Sequence, residues 1–167
     1  MEHETQAKQK TSAKDFFLHL LSIVTLYVSA IGLGTVLFQV INLYIPDAAI
    51  GNGYDYYPNV TTVKDTLRNA LSLVIVFFPV YVGTVMYLAK MYAQDPHKRD
   101  LRVRKWLIYF TLFAAIIIIL SSLASLVHTL LGGELTSRFV LKVLSIMGIS
   151  AGVLGYYGMD IKKHQTE

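Results

Sequence analysis

Cysteine is absent from this chain of 167 residues, which excludes a disulfide framework, a thiolate-ligated zinc or iron–sulfur centre and any thiol nucleophile. Charge is scarce as well: Asp, Glu, Lys and Arg together make up 16% of the residues, against 54% hydrophobic ones. A chain with that balance is neither intrinsically disordered nor an ordinary soluble domain. Since about 20 consecutive apolar residues cross a bilayer core, the composition predicts an integral membrane protein.

What the chain does have is apolar length. Four stretches nearly free of charge fall at about 16–45, 69–91, 104–131 and 136–159. The first would be roughly 45 Å long as a helix, more than the hydrocarbon core of about 30 Å, so it must tilt or protrude. The second carries Pro79 near its middle; the third holds the run Ile116-Ile117-Ile118-Ile119-Leu120 and ends at Gly132-Gly133; the fourth has Arg138 and Lys142 in its first turns. Period-two alternation is absent, and unpaired backbone groups are costly in lipid, so the spans are predicted to be helices. The predicted fold is therefore all-α, an integral membrane four-helix bundle. It forms a single domain over 15–163, with a basic N-terminal tail at 1–14, an extracytoplasmic loop at 46–67 and a short C-terminal tail at 164–167. Val28-Ser29-Ala30 resembles a signal-peptide cleavage site, but the apolar run continues well past it, which favours an anchor.

Lysine and arginine set the expected orientation. Lys8, Lys10 and Lys14 precede the first span; Lys90, Lys98, Arg99, Arg102, Arg104 and Lys105 surround the second connection; Lys162 and Lys163 follow the last span. On the other side Lys64, Arg68, Arg138 and Lys142 are balanced by Asp47, Asp55, Asp65 and Glu134. The positive-inside rule then predicts cytoplasmic termini in a multi-pass plasma (inner) membrane protein. The net charge of +4 is expected to meet anionic headgroups at that face rather than nucleic acid, because Asp95 and Asp100 interrupt the basic run beside a span. Aromatic residues agree: Phe16, Phe17, Tyr87, Tyr92, Trp106, Tyr109, Tyr156 and Tyr157 fall at one predicted headgroup level, and Tyr44, Tyr54, Tyr56, Tyr57 and Phe139 at the other. The outer loop reads as a turn-rich aromatic cap around Gly51-Asn52-Gly53. Its Asn59-Val60-Thr61 triplet matches a glycosylation acceptor, a pattern common by chance and set here beside Pro58.

In lipid, helices associate through close packing of small residues and interhelical hydrogen bonds. Three faces offer this: Ser22, Thr25, Ser29 and Gly32 in the first helix; Ala114, Ser121 and Ser125 in the third; Ser145, Gly148, Gly152 and Gly155 in the fourth. These are expected to be the packing seams of the bundle, or contacts with another copy. Pro79 lacks an N–H and crowds the carbonyl of Ile75, which predicts a helix kink with Gly83 and Thr84 one turn on.

Ionisable residues are missing from the midplane of every span, which removes the usual equipment of a proton pump or a charged ion filter. His19, four residues after Asp15, and His128, on the face of Ser121 and Ser125, lie at opposite depths and cannot share a haem iron or a metal ion. Motifs for hydrolysis, zinc binding and phosphate binding are lacking, so no catalytic residue, metal or cofactor is expected and the protein is read as a non-enzyme. The sharpest polar cluster is outer: Gln39, Asn42, His128, Arg138 and Lys142 fall at similar depth and would form a pocket for an anionic group or lipid headgroup if their faces converge. The alternative is structural, with Arg138 pairing Glu134, Lys142 snorkelling, and Gln39 and Asn42 bonding across helices.

Several local signatures carry a resemblance: Thr11-Ser12-Ala13-Lys14-Asp15-Phe16-Phe17-Leu18, Ile41-Asn42-Leu43-Tyr44-Ile45-Pro46, Val76-Phe77-Phe78-Pro79-Val80-Tyr81, Val103-Arg104-Lys105-Trp106-Leu107, Gly133-Glu134-Leu135 with Phe139-Val140-Leu141-Lys142-Val143-Leu144, and Gly155-Tyr156-Tyr157 with Asp160. Together they resemble a prokaryotic family of four-span membrane proteins catalogued as a domain of unknown function. The resemblance implies a four-helix inner-membrane protein and no activity. It makes Asp15, Pro79, Glu134 and Lys142 part of a family pattern without assigning them a role. The leading functional reading is a small non-enzymatic protein acting through a membrane protein partner or as a homo-oligomer. The alternatives are a small transporter or channel using the Pro79 kink and the outer cluster, and a protein binding lipid or an anionic small molecule.

Overall fold

The computed structural model describes residues 13–45, 59–94, 102–133 and 135–162. Among these residues all regular structure is helical, in the order α1 (Ala13–Tyr44), α2 (Val60–Gln94), α3 (Arg102–Leu131) and α4 (Ser137–Lys162). All four helices are long and apolar enough to cross a membrane. Large apolar side chains face outward along each of them, among them Ile31, Ile75, Phe113 and Leu144. In water such a surface would drive aggregation; in lipid it is the expected exterior.

Helix α1 is the hub. It packs against the other three, α3 packs against α4 as an antiparallel hairpin, and the backbone of α2 packs on α1 alone. The α1–α2 contact follows from a seven-residue repeat. Asp15, Ser22 and Ser29, and Thr25 with Gly32, are buried on α1; Val63, Ala70 and Thr84 are buried on α2 at multiples of the same step. A 3.5-residue hydrophobic period keeps two helices in register along their length. Gly32 marks the closest approach, since a Cβ there would lie 2.9 Å from Val74 Cγ2 and 3.4 Å from the Ala70 carbonyl oxygen. The small-residue face of α1 is thus an internal seam.

Four buried hydroxyls of α1, α2 and α3 bond within their own helices, while that of Ser29 on the α1 face is buried without a partner. Thr25 donates to the Leu21 carbonyl at 2.7 Å, Thr84 to that of Val80 at 2.8 Å, Thr111 to that of Leu107 at 2.9 Å and Ser122 to that of Ile118 at 2.8 Å. Each hydroxyl is satisfied by its own helix, which lets it sit in an apolar interior without an interhelical partner.

Several expectations need correction. Helix α2 begins at Val60 rather than Asn69, so it takes in part of the loop predicted at 46–67. Lys64, Asp65 and Arg68 suggested a loop, yet they lie on the exposed face of a helix whose Val63 and Ala70 are buried. Asn59 is the cap of that helix: its Oδ1 accepts from the Thr61 N–H at 3.1 Å and its carbonyl from the Val63 N–H at 3.0 Å. Helix α3 buries Leu107, Ile108, Thr111, Ala115 and Ser122, while Ser121 and Ser125 face outward and Ala114 is half-buried. On α4 the buried residues are Val143, Ser150 and Tyr157, seven apart. Gly148, Gly152 and Gly155 are exposed, with nothing within 4 Å of a Cβ built on them, and Ser145 bonds only its own helix, to Leu141. The α4 stripe is therefore not a seam within the chain. Pro79 lies inside α2 on its exposed side, and the helix continues past it, as a kinked helix also does. The aromatic loop around Tyr54, Tyr56 and Tyr57, the basic residues Lys98 and Arg99, residues 1–12 and the C-terminal tail lie outside the described residues, while Ala13 and Lys14 of the expected N-terminal tail belong to α1.

Candidate functional site

The outer polar residues have separate local partners. Asn42 donates to Gln39 Oε1 at 3.1 Å within α1. Arg138 donates through Nε and Nη2 to the Ile45 carbonyl, at 3.0 and 2.6 Å, holding the start of α4 against the end of α1; Glu134, its expected partner, lies outside the described residues. Lys142 Nζ stands 5.7 Å from the centre of the Phe38 ring. His128 is exposed on α3. Arg138 thus closes off backbone acceptors at a helix end, which would otherwise be left unpaired at the membrane boundary. None of the three cavities described below is lined by any of these five residues.

A polar site forms instead at the opposite end of the bundle, where the start of α1, the end of α2, the start of α3 and the end of α4 meet. Asp15 and His19 come one turn apart on the buried face of α1, 6% and 4% exposed. The Tyr92 hydroxyl and His19 Nε2 share a hydrogen bond of 2.9 Å, with the two rings edge to face. The Arg104 guanidinium lies 5.1 Å above the Tyr92 ring and forms an ion pair with Asp160. One cation thereby ties α3 to both α2 and α4. These groups surround a partly open cavity of about 240 Å³, whose wall also includes Ser22, Tyr156 and Tyr157. His19 Nδ1 is buried and has no hydrogen-bond partner, an unusual position for a ring nitrogen, since buried polar atoms are nearly always paired.

Deeper in the membrane an apolar groove of about 500 Å³ runs between α1, α2 and α4. Leu33 of α1, Val74 and Phe78 of α2, and Gly148 and Gly152 of α4 line it. It lies where the α2 backbone packs on α1 alone and the α4 glycines project no side chain across the gap. Tyr156 and Tyr157 line both the polar cavity and this groove. A further apolar cavity of about 270 Å³ lies between α1, α3 and α4, around Tyr27 and Thr111. Among the described residues no three histidine or carboxylate side chains form a metal-binding group.

The sequence put Asp15, His19, Tyr92, Arg104, Tyr156 and Tyr157 toward one end of the bundle, where the structure brings them together, but gave Tyr92, Arg104, Tyr156 and Tyr157 roles in topology and headgroup anchoring and Asp15 and His19 none. The available signal was spacing: His19 falls four residues after Asp15 and three before Ser22 of the expected seam, so all three share its inward side.

In comparisons with known proteins, a family model described as "Domain of unknown function (DUF5671)" matches residues 15–157. No curated protein and no solved structure matches the chain.

Proposed function

The chain belongs to the DUF5671 family, a membership that carries no activity with it, and from the site itself we propose that it is a membrane-embedded lipid-binding protein acting by binding rather than catalysis. The headgroup occupies the polar cavity around His19 and Arg104, and one acyl chain lies in the groove over Gly148 and Gly152. The observation that carries this reading is the sharing of Tyr156 and Tyr157 by the two spaces: a polar compartment at one end of the helices adjoins an apolar one nearer their middle, with these two tyrosines as common wall. From His19 to Leu33 is roughly 20 Å at about 1.5 Å per residue, so both compartments fit within a single leaflet and its interface, given a core of about 30 Å. The same end carries the basic residues that, by the positive-inside rule, put it in the cytoplasm of a plasma-membrane protein.

Native mass spectrometry of protein purified in mild detergent tests the reading. The wild type is expected to retain one phospholipid per chain. Gly152→Leu, at a position with nothing within 4 Å of its Cβ, should keep the fold and its melting temperature yet lose the lipid. A wild type that carries no lipid, or a variant that retains it equally, overturns the reading.

A second reading has support from the same stripe. Gly148, Gly152 and Gly155 form an exposed small-residue face of the kind that receives another transmembrane helix, in a homo-oligomer or with a membrane protein partner. Because the chain has no native cysteine, Gly155→Cys gives a clean crosslinking probe. Efficient crosslinking in native membranes, unaffected by delipidation, would favour a helix over a lipid.

A further inference from the structure

Resting on the lipid-binding reading, we infer that the polar cavity selects an amine-bearing zwitterionic headgroup, of the phosphoethanolamine kind, over an anionic or a quaternary-ammonium one. Of the side chains lining the cavity, Arg104 and Asp160 carry fixed and opposite charges, and they are paired with each other. A ligand bearing only negative charge gains from Arg104 and is repelled by Asp160, and one bearing only positive charge meets the reverse. A zwitterion inserted beside the pair presents phosphate to the guanidinium and ammonium to the carboxylate, so each protein charge keeps an opposite neighbour. Both side chains are mostly buried, at 14% and 28% exposed, where such contacts are little screened.

His19 supplies the second, independent observation. Its Nδ1 is buried without a partner, and its other nitrogen is engaged by Tyr92. If Nε2 donates to the tyrosine oxygen, Nδ1 presents a lone pair that an ammonium N–H satisfies; if Nε2 accepts the tyrosine proton, Nδ1–H is a donor that a phosphate oxygen satisfies. A headgroup with both functions serves either tautomer. A trimethylammonium group carries the same charge but no N–H, so it leaves the acceptors unmet and fills more of a cavity of about 240 Å³.

The test starts from the wild type. Delipidated wild type is reconstituted into nanodiscs holding phosphatidylethanolamine, phosphatidylcholine and phosphatidylglycerol in equal amounts, then released into detergent, and the lipid carried over is identified by native mass spectrometry. Phosphatidylethanolamine should exceed each of the others about tenfold, the ratio that a difference of about 1.4 kcal/mol in binding gives. Asp160→Asn removes the carboxylate that meets the ammonium and should lower retention of phosphatidylethanolamine relative to the other two lipids. Equal retention of all three, or an excess of phosphatidylglycerol or phosphatidylcholine, overturns the headgroup assignment while leaving lipid binding intact. Retention of no lipid by the wild type, or Gly152→Leu retaining as much as the wild type, overturns the underlying reading, and this inference with it.

Discussion

Tyr92 Oη and His19 Nε2 lie 2.9 Å apart, and the same tyrosine ring is covered by the Arg104 guanidinium at 5.1 Å. This one side chain therefore joins α2 to α1 by a hydrogen bond and to α3 by a cation–π contact, although the backbones of α2 and α3 do not pack together. It forms one wall of the polar cavity and fixes where the cavity ends.

Tyr92→Phe separates those two roles. The ring that Arg104 covers is retained and the hydroxyl is lost, leaving His19 with two unpaired ring nitrogens. A loss of about 1–2 kcal/mol is expected, read as a lower melting temperature in detergent and faster hydrogen exchange in the last turn of α2. An unchanged melting temperature would show that water replaces the hydroxyl at no cost.

Gly32 and Gly83 should respond in opposite ways to alanine. At Gly32 the new methyl would meet Val74 Cγ2 at 2.9 Å and the Ala70 carbonyl at 3.4 Å, pushing α1 and α2 apart at a cost of about 1–3 kcal/mol. At Gly83 nothing lies within 4 Å, and replacing a mid-helix glycine stabilises by about 0.5–1 kcal/mol. Melting of the two variants in the same detergent compares them directly.

Arg104 and Asp160 should show energetic coupling. A double-mutant cycle with Arg104→Ala and Asp160→Ala is expected to give an interaction term of about 0.5–3 kcal/mol, with each single variant less stable than the double because it strands a partly buried charge. Additive losses would mean that the pair is held by its surroundings rather than by mutual attraction.

Asn59→Ala should fray the start of α2 and cost about 1 kcal/mol, the usual loss of an N-cap side chain. Exchange of the Thr61 and Val63 amides reports it, since both bond Asn59. A glycosylation acceptor at this triplet would require the asparagine to be free, which its capping bond opposes.

Orientation can be read with single cysteines. Lys8→Cys and Gln165→Cys are expected to be shielded from an impermeant maleimide in intact cells, and Thr61→Cys to be labelled. Labelling of either terminal position would reverse the proposed topology.

The number of candidate spans and, to within about three residues, the ends of α1 and α3 were legible in the sequence, because they depend only on how many apolar residues follow one another. The α1 seam was legible too, since Ser22, Thr25, Ser29 and Gly32 are small residues on a helix whose other faces are bulky. The rotation of α3 and α4 was not. Both are apolar around most of their circumference, so the sequence offers little contrast between a buried and a lipid-facing side. Ser121 and Ser125 pointed outward where Thr111, Ala115 and Ser122 pointed in.

For the same reason the sequence grouped Gln39, Asn42, His128, Arg138 and Lys142 by depth alone, whereas in the structure Gln39 and Asn42 bond each other, Arg138 bonds Ile45, Lys142 stands over Phe38 and His128 is exposed. It also could not foresee that the α2 backbone would pack on α1 alone, leaving a groove over the α4 glycines that shares Tyr156 and Tyr157 with the polar cavity. Composition and local spacing therefore determined that this is a four-span helical membrane protein. Which faces meet, and where space remains between them, was decided only by the packing of the helices, because in lipid that choice rests on shape complementarity between distant segments rather than on burying apolar surface from water.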